Sequence, residues 1–94
     1  MSPDENLRKA STVFSALGSV VRLRIVKMLI DTKKPLHIKA VARNLSMDYA
    51  AVYRHVHVLR MAKVLDVFEV GRSRVLAPRK SSTILDLIEK TREL

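Results

Sequence analysis

Tyr49, Tyr53, His57 and Arg60 recur every three or four residues, with Ala50 and Arg54 beside them. At about 100° per residue this spacing gathers them on one side of a helix; Val52, His55, Val56 and Leu59 share the other side, with Ala51 next to them. Tyr, His and Arg carry donors suited to base edges and phosphate oxygens, and an alanine methyl suits the methyl of thymine. Further on, Gly71-Arg72-Ser73-Arg74 sets two arginines at a tight turn, and Arg is the cation that a narrow minor groove favours. Lys39 and Arg43, one helical turn apart, suit phosphate. Taken singly, such a helix face is an ordinary solvated surface and such arginines are ordinary turn charges. Side by side they read as a surface for a polyanion.

The charge distribution supports that reading. Lys and Arg number 18 against 9 Asp and Glu, a net charge of +9. Residues 32–80 hold eleven basic and three acidic residues, whereas residues 1–31 carry +2 and residues 81–94 carry −1. The positive charge therefore coincides with the donor-rich helix and the basic turn. A basic face attracts phosphate, from nucleic acid or from an anionic membrane. The membrane alternative lacks both an apolar run of about 18 residues and a helix opposing Trp or Phe to Lys and Arg. Double-stranded DNA is the expected partner.

Other classes are argued against by what the chain lacks. There is no cysteine, which excludes disulfides and thiolate metal sites. Without a Gly-rich phosphate loop, or a Ser/His/Asp pattern around the three histidines, catalysis is not expected. No secretory leader precedes the first apolar repeat, so a cytoplasmic, nucleoid-associated location is expected. Gln and Trp are absent and charges abundant, a composition compatible with a thermophilic source.

The elements that must position these residues follow from periodicity and caps. Ninety-four residues are expected to form a single domain, 1–94. Ser2-Pro3-Asp4-Glu5 predicts a helix start. Leu7, Ala10, Val13, Phe14 and Leu17 repeat at helical spacing to Gly18, expected as a left-handed stop. Ser19 caps a second helix over about 20–31, apolar around much of its circumference and hence expected at the centre of the core. Lys33-Lys34-Pro35 breaks the chain, and Leu36-His37 suits a brief strand. A helix over Ile38–Leu45 buries Ile38, Val41, Ala42 and Leu45, and the donor-rich helix spans 48–61. Val64–Val70 and Val75–Ala77 form a hairpin through Gly71 that Pro78 ends. Imperfect alternation leaves open which of Val67 and Phe68 faces inward. Thr83 with Asp86 resembles a capping box opening a last helix over 83–94.

This order is the plan of a winged helix-turn-helix: mainly α with a small β-hairpin wing, helix-turn-helix at 38–61 and wing at 64–78. Chains this short bury only about 60–65% of their unfolded surface. The stripes Leu7, Val13, Phe14 and Ile84, Leu87, Ile88 on the terminal helices (about 4–17 and 83–94) are therefore expected to pair in a homodimer.

Residues 16–78 resemble the winged-helix repressors of the arsenical-resistance (ArsR) family. Ala16-Leu17-Gly18-Ser19-Val20-Val21-Arg22-Leu23-Arg24-Ile25-Val26 is similar to that family's "ALADPTRLRIL" pattern, and Val52–Leu65 to its "VSRHLxxLRxAGLV" signature. The resemblance implies a homodimer joined by first and last helices, with 48–61 in the major groove. Ser19-Val20 replaces the family's Asp-Pro, and Lys63 its Gly. Metal sensors of the family begin the third helix with Cys-x-Cys, where this chain reads His37-Ile38-Lys39. An ammonium cannot ligate and a lone His is a poor site. The last helix offers Asp86, Glu89 and Glu93 but no His. His55 and His57 lie about 200° apart around their helix and cannot share an ion, and His55 reads as a hydrogen-bonded core histidine. No metal or cofactor is expected.

Together these features predict a transcription regulator, acting as a repressor on a pseudo-palindromic DNA site. The expected DNA-binding residues are Lys39, Arg43, Tyr49, Ala50, Tyr53, Arg54, His57, Arg72, Ser73 and Arg74. The alternatives are a non-specific architectural protein of nucleic acids and a protein–protein interaction module. The varied side chains of the donor face favour the regulator, since non-specific binding needs only cations, and an interaction module needs no such concentration of charge.

Overall fold

The computed structural model describes residues 1–94. Ser2, in extended backbone, accepts the Glu5 N–H on its Oγ at 3.2 Å and opens α1 (Pro3–Leu17). Asp4 and Glu5 lie in that first turn, at the positive end of the helix dipole. Ser19 repeats the device, its Oγ accepting from the Arg22 N–H at 3.3 Å, and opens α2 (Val20–Thr32). Full burial of Ile25, Val26 and Leu29 makes α2 the centre of the core, each such side chain contributing about 1.5–3 kcal/mol.

Gly18 is not the expected left-handed stop. Its φ is −78° and its ψ 45°. The Gly18 N–H donates to the Ser15 carbonyl at 3.2 Å, and Arg22 takes the Ala16 carbonyl with Nε at 2.6 Å. With the terminal carbonyls satisfied in this way, α1 ends without an αL cap. Room at Gly18 is tight: a Cβ there would lie 3.2 Å from the Phe14 carbonyl oxygen and 3.4 Å from that of Ser15, so the end of α1 would have to give by a few tenths of an ångström.

After the break at Lys33–Pro35, β1 (Leu36–His37) leads directly into α3 (Ile38–Leu45). Ile38, Val41 and Ala42 are buried as expected, whereas Leu45 is half-buried. Ser46, in αL at φ 54°, turns the chain. Asp48 then caps α4 (Tyr49–Met61), its Oδ1 accepting the Ala51 N–H at 2.7 Å.

β2 (Leu65–Val70) and β3 (Ser73–Pro78) form the hairpin, and β1 completes an antiparallel sheet of order β1-β3-β2. Gly71, at φ 61°, supplies the positive φ of the hairpin turn, where a side chain would be strained. Leu76, fully buried on β3, has Leu36 as its partner on one side and Val67 on the other. That register settles the inward residue. Val67 packs on the core and Phe68, opposite Val75, is 52% exposed.

α5 spans Ser81–Lys90, followed by a 3₁₀ turn at Thr91–Glu93. It therefore starts two residues earlier and ends sooner than the capping-box reading implied. Lys80, in αL, precedes it without a side-chain cap, and the Lys80 carbonyl accepts the Ile84 N–H at 3.1 Å. The backbone turn at Lys80, anchored by the Arg79 N–H on the Val64 carbonyl at 3.0 Å, starts the helix before Thr83 can cap it. The core consists of hydrophobic residues alone, contributed by all five helices and the sheet.

Candidate nucleic-acid interface

α3 and α4 pack against each other with the hairpin alongside. On α4, Val52, Val56 and Leu59 are buried while Ala50, Tyr53, Arg54, His57 and Arg60 are exposed, as the helical spacing predicts; Tyr49, expected on the outward face, is instead half-buried and packs against the core at the start of the helix. His55 is half-buried at the seam, where its Nδ1 accepts a hydrogen bond from Arg22 at 3.2 Å.

A cleft of about 450 Å³ opens between the first turn of α3, the start of α4 and the hairpin. Lys39, Arg43, Tyr49, Arg72, Ser73 and Arg74 all line it, so six of the ten expected DNA-binding residues meet in one place. No Asp or Glu lines this cleft, and none of its four cations has a carboxylate partner within salt-bridge distance. Positive charge left unneutralised in a concave surface focuses the field on an approaching anion. The His37 side chain makes no capping hydrogen bond at α3.

Tyr53 and His57 lie in a smaller depression of about 200 Å³, with Arg60, Glu69 and Arg74. Arg74 borders both. Ala50 and Arg54 line neither and face outward. Glu69, absent from the expected set, enters because the hairpin register pairs it with Arg74.

Arg74 is not a free turn charge. One guanidinium nitrogen donates to the Tyr49 hydroxyl at 3.0 Å, and the guanidinium carbon lies 4.7 Å from the centre of the Tyr53 ring. The two tyrosine rings stack at 6.5 Å with an interplanar angle of 12°. The hydrogen bond from Arg74 to Tyr49, followed by the Coulombic influence of the same phenol, raises the Arg74 pKa above its ordinary value.

The metal-binding positions implied at the start of α3 hold His37 and Lys39, both exposed. No group of three or more His, Cys, Asp or Glu converges anywhere in the chain. The donor set does not fit a zinc or arsenic site of the family kind.

Of the expected dimer residues, Leu7 and Phe14 are 66% and 59% exposed. Val13, Leu87 and Ile88 are half-buried, and Ile84 is buried in the chain's own core. Val13, Phe14, Met61, Ile84 and Leu87 line a groove of about 680 Å³ between α1, the end of α4 and α5. No helix is long and apolar enough to cross a membrane.

Solved structures share this architecture over nearly their whole length. NolR from Sinorhizobium fredii superposes with a TM-score of 0.79 at 20% identity, covering 97% of this chain and 93% of that one. HlyU from Vibrio cholerae, in its reduced form, gives 0.78 at 19% identity, covering 94% and 93%. The homodimeric winged helix-turn-helix DNA-binding domain of Mb0332 from Mycobacterium bovis, a possible ArsR-family transcriptional regulator, gives 0.83 at 15% identity, covering 99% and 88%. These likenesses establish the fold as a winged helix-turn-helix. No curated protein matches the chain in sequence. A family model does match residues 19–84, the span from the cap of α2 into α5, and the chain belongs to the family of that model, HVO_A0114.

Proposed function

We propose that the chain is a DNA-binding transcription regulator. It binds a pseudo-palindromic double-stranded site as a homodimer and represses transcription, with α4 in the major groove and the hairpin on backbone or minor groove. It works at the nucleoid in the cytoplasm and needs neither metal nor cofactor. The observation that carries the reading is the acid-free cleft where Lys39, Arg43, Arg72 and Arg74 meet beside the exposed residues of α4. Cations of this kind hold phosphates and set the docking, while outward Ala50, Arg54 and His57 face base edges. The solved neighbours add a winged helix-turn-helix that binds DNA and is homodimeric in Mb0332.

Selection from random duplexes tests the reading. A regulator enriches a two-fold symmetric site with half-sites roughly 10–11 base pairs apart, since two α4 helices enter successive major grooves. Binding that neutralises about 6–10 phosphates weakens roughly 10³–10⁵-fold between about 50 and 200 mM salt. Salt-sensitive retention without an enriched sequence identifies an architectural binder instead. No retention at any salt removes nucleic acid as the partner.

A further inference from the structure

We propose that Tyr49 and Tyr53 are positioning residues that clamp the wing to the recognition helix through Arg74, and are not readers of bases. This rests on the DNA-binding reading. Tyr49 is half-buried, and its hydroxyl accepts the Arg74 guanidinium at 3.0 Å. Tyr53 offers its ring face to the same guanidinium at 4.7 Å, and the two rings stack on each other. One cation thus engages both tyrosines, one helical turn apart on α4, through a hydrogen bond and a cation–π contact. β3 starts at Ser73, so Arg74 stands at the base of the turn, where a single tether fixes the hairpin's angle against α4.

The arrangement suits a tether better than a reader. An arginine has five N–H donors, and the Tyr49 contact takes one. The rest stay available to a phosphate in the acid-free cleft that Arg74 lines with Arg72, Lys39 and Arg43. The Tyr49 hydroxyl spends a lone pair on Arg74, and one face of the Tyr53 ring is taken by it. Ala50, Tyr53, Arg54 and His57 are all exposed on the outward side, but of these four Tyr53 is the one whose ring the wing arginine engages. Arg74 is the phosphate ligand, and the tyrosines hold it and the wing in register with the helix.

The chemistry required of each tyrosine differs, and that makes the clamp testable. Tyr49 must keep its hydroxyl; Tyr53 needs only its ring. Binding of the full chain to its selected duplex and to a scrambled duplex is measured for Tyr49→Phe, Tyr53→Phe, Tyr53→Leu, Arg74→Ala and the Tyr49→Phe/Arg74→Ala pair. The clamp predicts that Tyr53→Phe binds like the parent, whereas Tyr49→Phe and Tyr53→Leu each lose roughly 3–10-fold on both duplexes alike. The double variant binds no more weakly than Arg74→Ala alone. In the free protein, nitrogen-15 relaxation of the Arg74 Nε–H reports a rigid side chain that becomes mobile in Tyr49→Phe, which a base-reading tyrosine would not cause. Loss of binding confined to the selected duplex in Tyr53→Phe or Tyr49→Phe, or an Arg74 side chain already mobile in the parent, overturns the clamp. If the parent chain binds no duplex, the regulator reading fails instead, a result distinct from these.

Discussion

A guanidinium nitrogen of Arg22 on α2 donates to Nδ1 of His55 on α4 across 3.2 Å. Arginine has no acceptor, so the His55 proton sits on Nε2. The same side chain reaches the carbonyls of Ala16 at 2.6 Å and Ser15 at 3.4 Å. One half-buried cation thereby satisfies the end of α1 and holds α4 against it, and positive charge at a helix C-terminus is favourable.

Arg22→Ala is expected to destabilise the fold by about 2–3 kcal/mol, because it removes charge-assisted hydrogen bonds to three groups at once. Arg22→Lys recovers only a small part, since one ammonium cannot reproduce the planar fork. Urea midpoints at unchanged slope measure both. A loss below about 0.5 kcal/mol in Arg22→Ala would show that water replaces the contacts without cost.

Lys63 adopts αL at φ 61° in the turn from α4 to β2, and this is where the ArsR signature has glycine. A side chain there costs about 1–2 kcal/mol, partly offset by the greater entropy a glycine loses on folding. Lys63→Gly should raise stability by roughly 0.5–1 kcal/mol, read as a higher melting temperature. An unchanged or lower value would mean that Lys63 makes compensating contacts.

The helices and the wing were legible because local chemistry specifies them. Ser2 and Ser19 each form the cap expected of them, and apart from half-buried Tyr49 the α4 faces divide as the 3.6-residue period requires. What depended on distant partners was not legible. The end of α1 is set by Arg22, so Gly18 took a conformation its identity did not foretell. Val67 and Phe68 are told apart only by pairing with Leu76 and Val75. The placement of Arg74 over the Tyr53 ring and against the Tyr49 hydroxyl requires the hairpin's angle to α4, which no spacing within either element encodes.

Leu7→Glu with Phe14→Glu is expected to yield a monomer. Both side chains are exposed in the single chain, so the change leaves its core intact while introducing like charges across the proposed two-fold interface. Light scattering at tens of micromolar gives the mass, and far-ultraviolet dichroism verifies retained helix. A parent chain that is itself monomeric at this concentration would place these stripes outside any stable interface.

Zinc or trivalent arsenic at stoichiometric levels is expected to leave DNA affinity unchanged. His37 and Lys39 stand where the family's metal sensors have thiolates, and a single histidine beside a lysine ammonium does not assemble a coordination shell. A tenfold release of DNA would reveal a site completed across the dimer, built from His37 or the C-terminal acids.

Arg54 is expected to carry the largest share of sequence discrimination. It is exposed on the second turn of α4, away from buried Val52 and Val56, and no ion pair or hydrogen bond ties it down. A free guanidinium in the first turns of a recognition helix can pair bidentately with the O6 and N7 of guanine. Arg54→Ala should cost about 1–3 kcal/mol on the selected duplex and little on random DNA, which narrows the specificity ratio. The preferred base should relax at one position in each half-site, symmetrically. Equal weakening on selected and random duplexes would assign Arg54 to the backbone, and discrimination would then fall to His57 and Ala50.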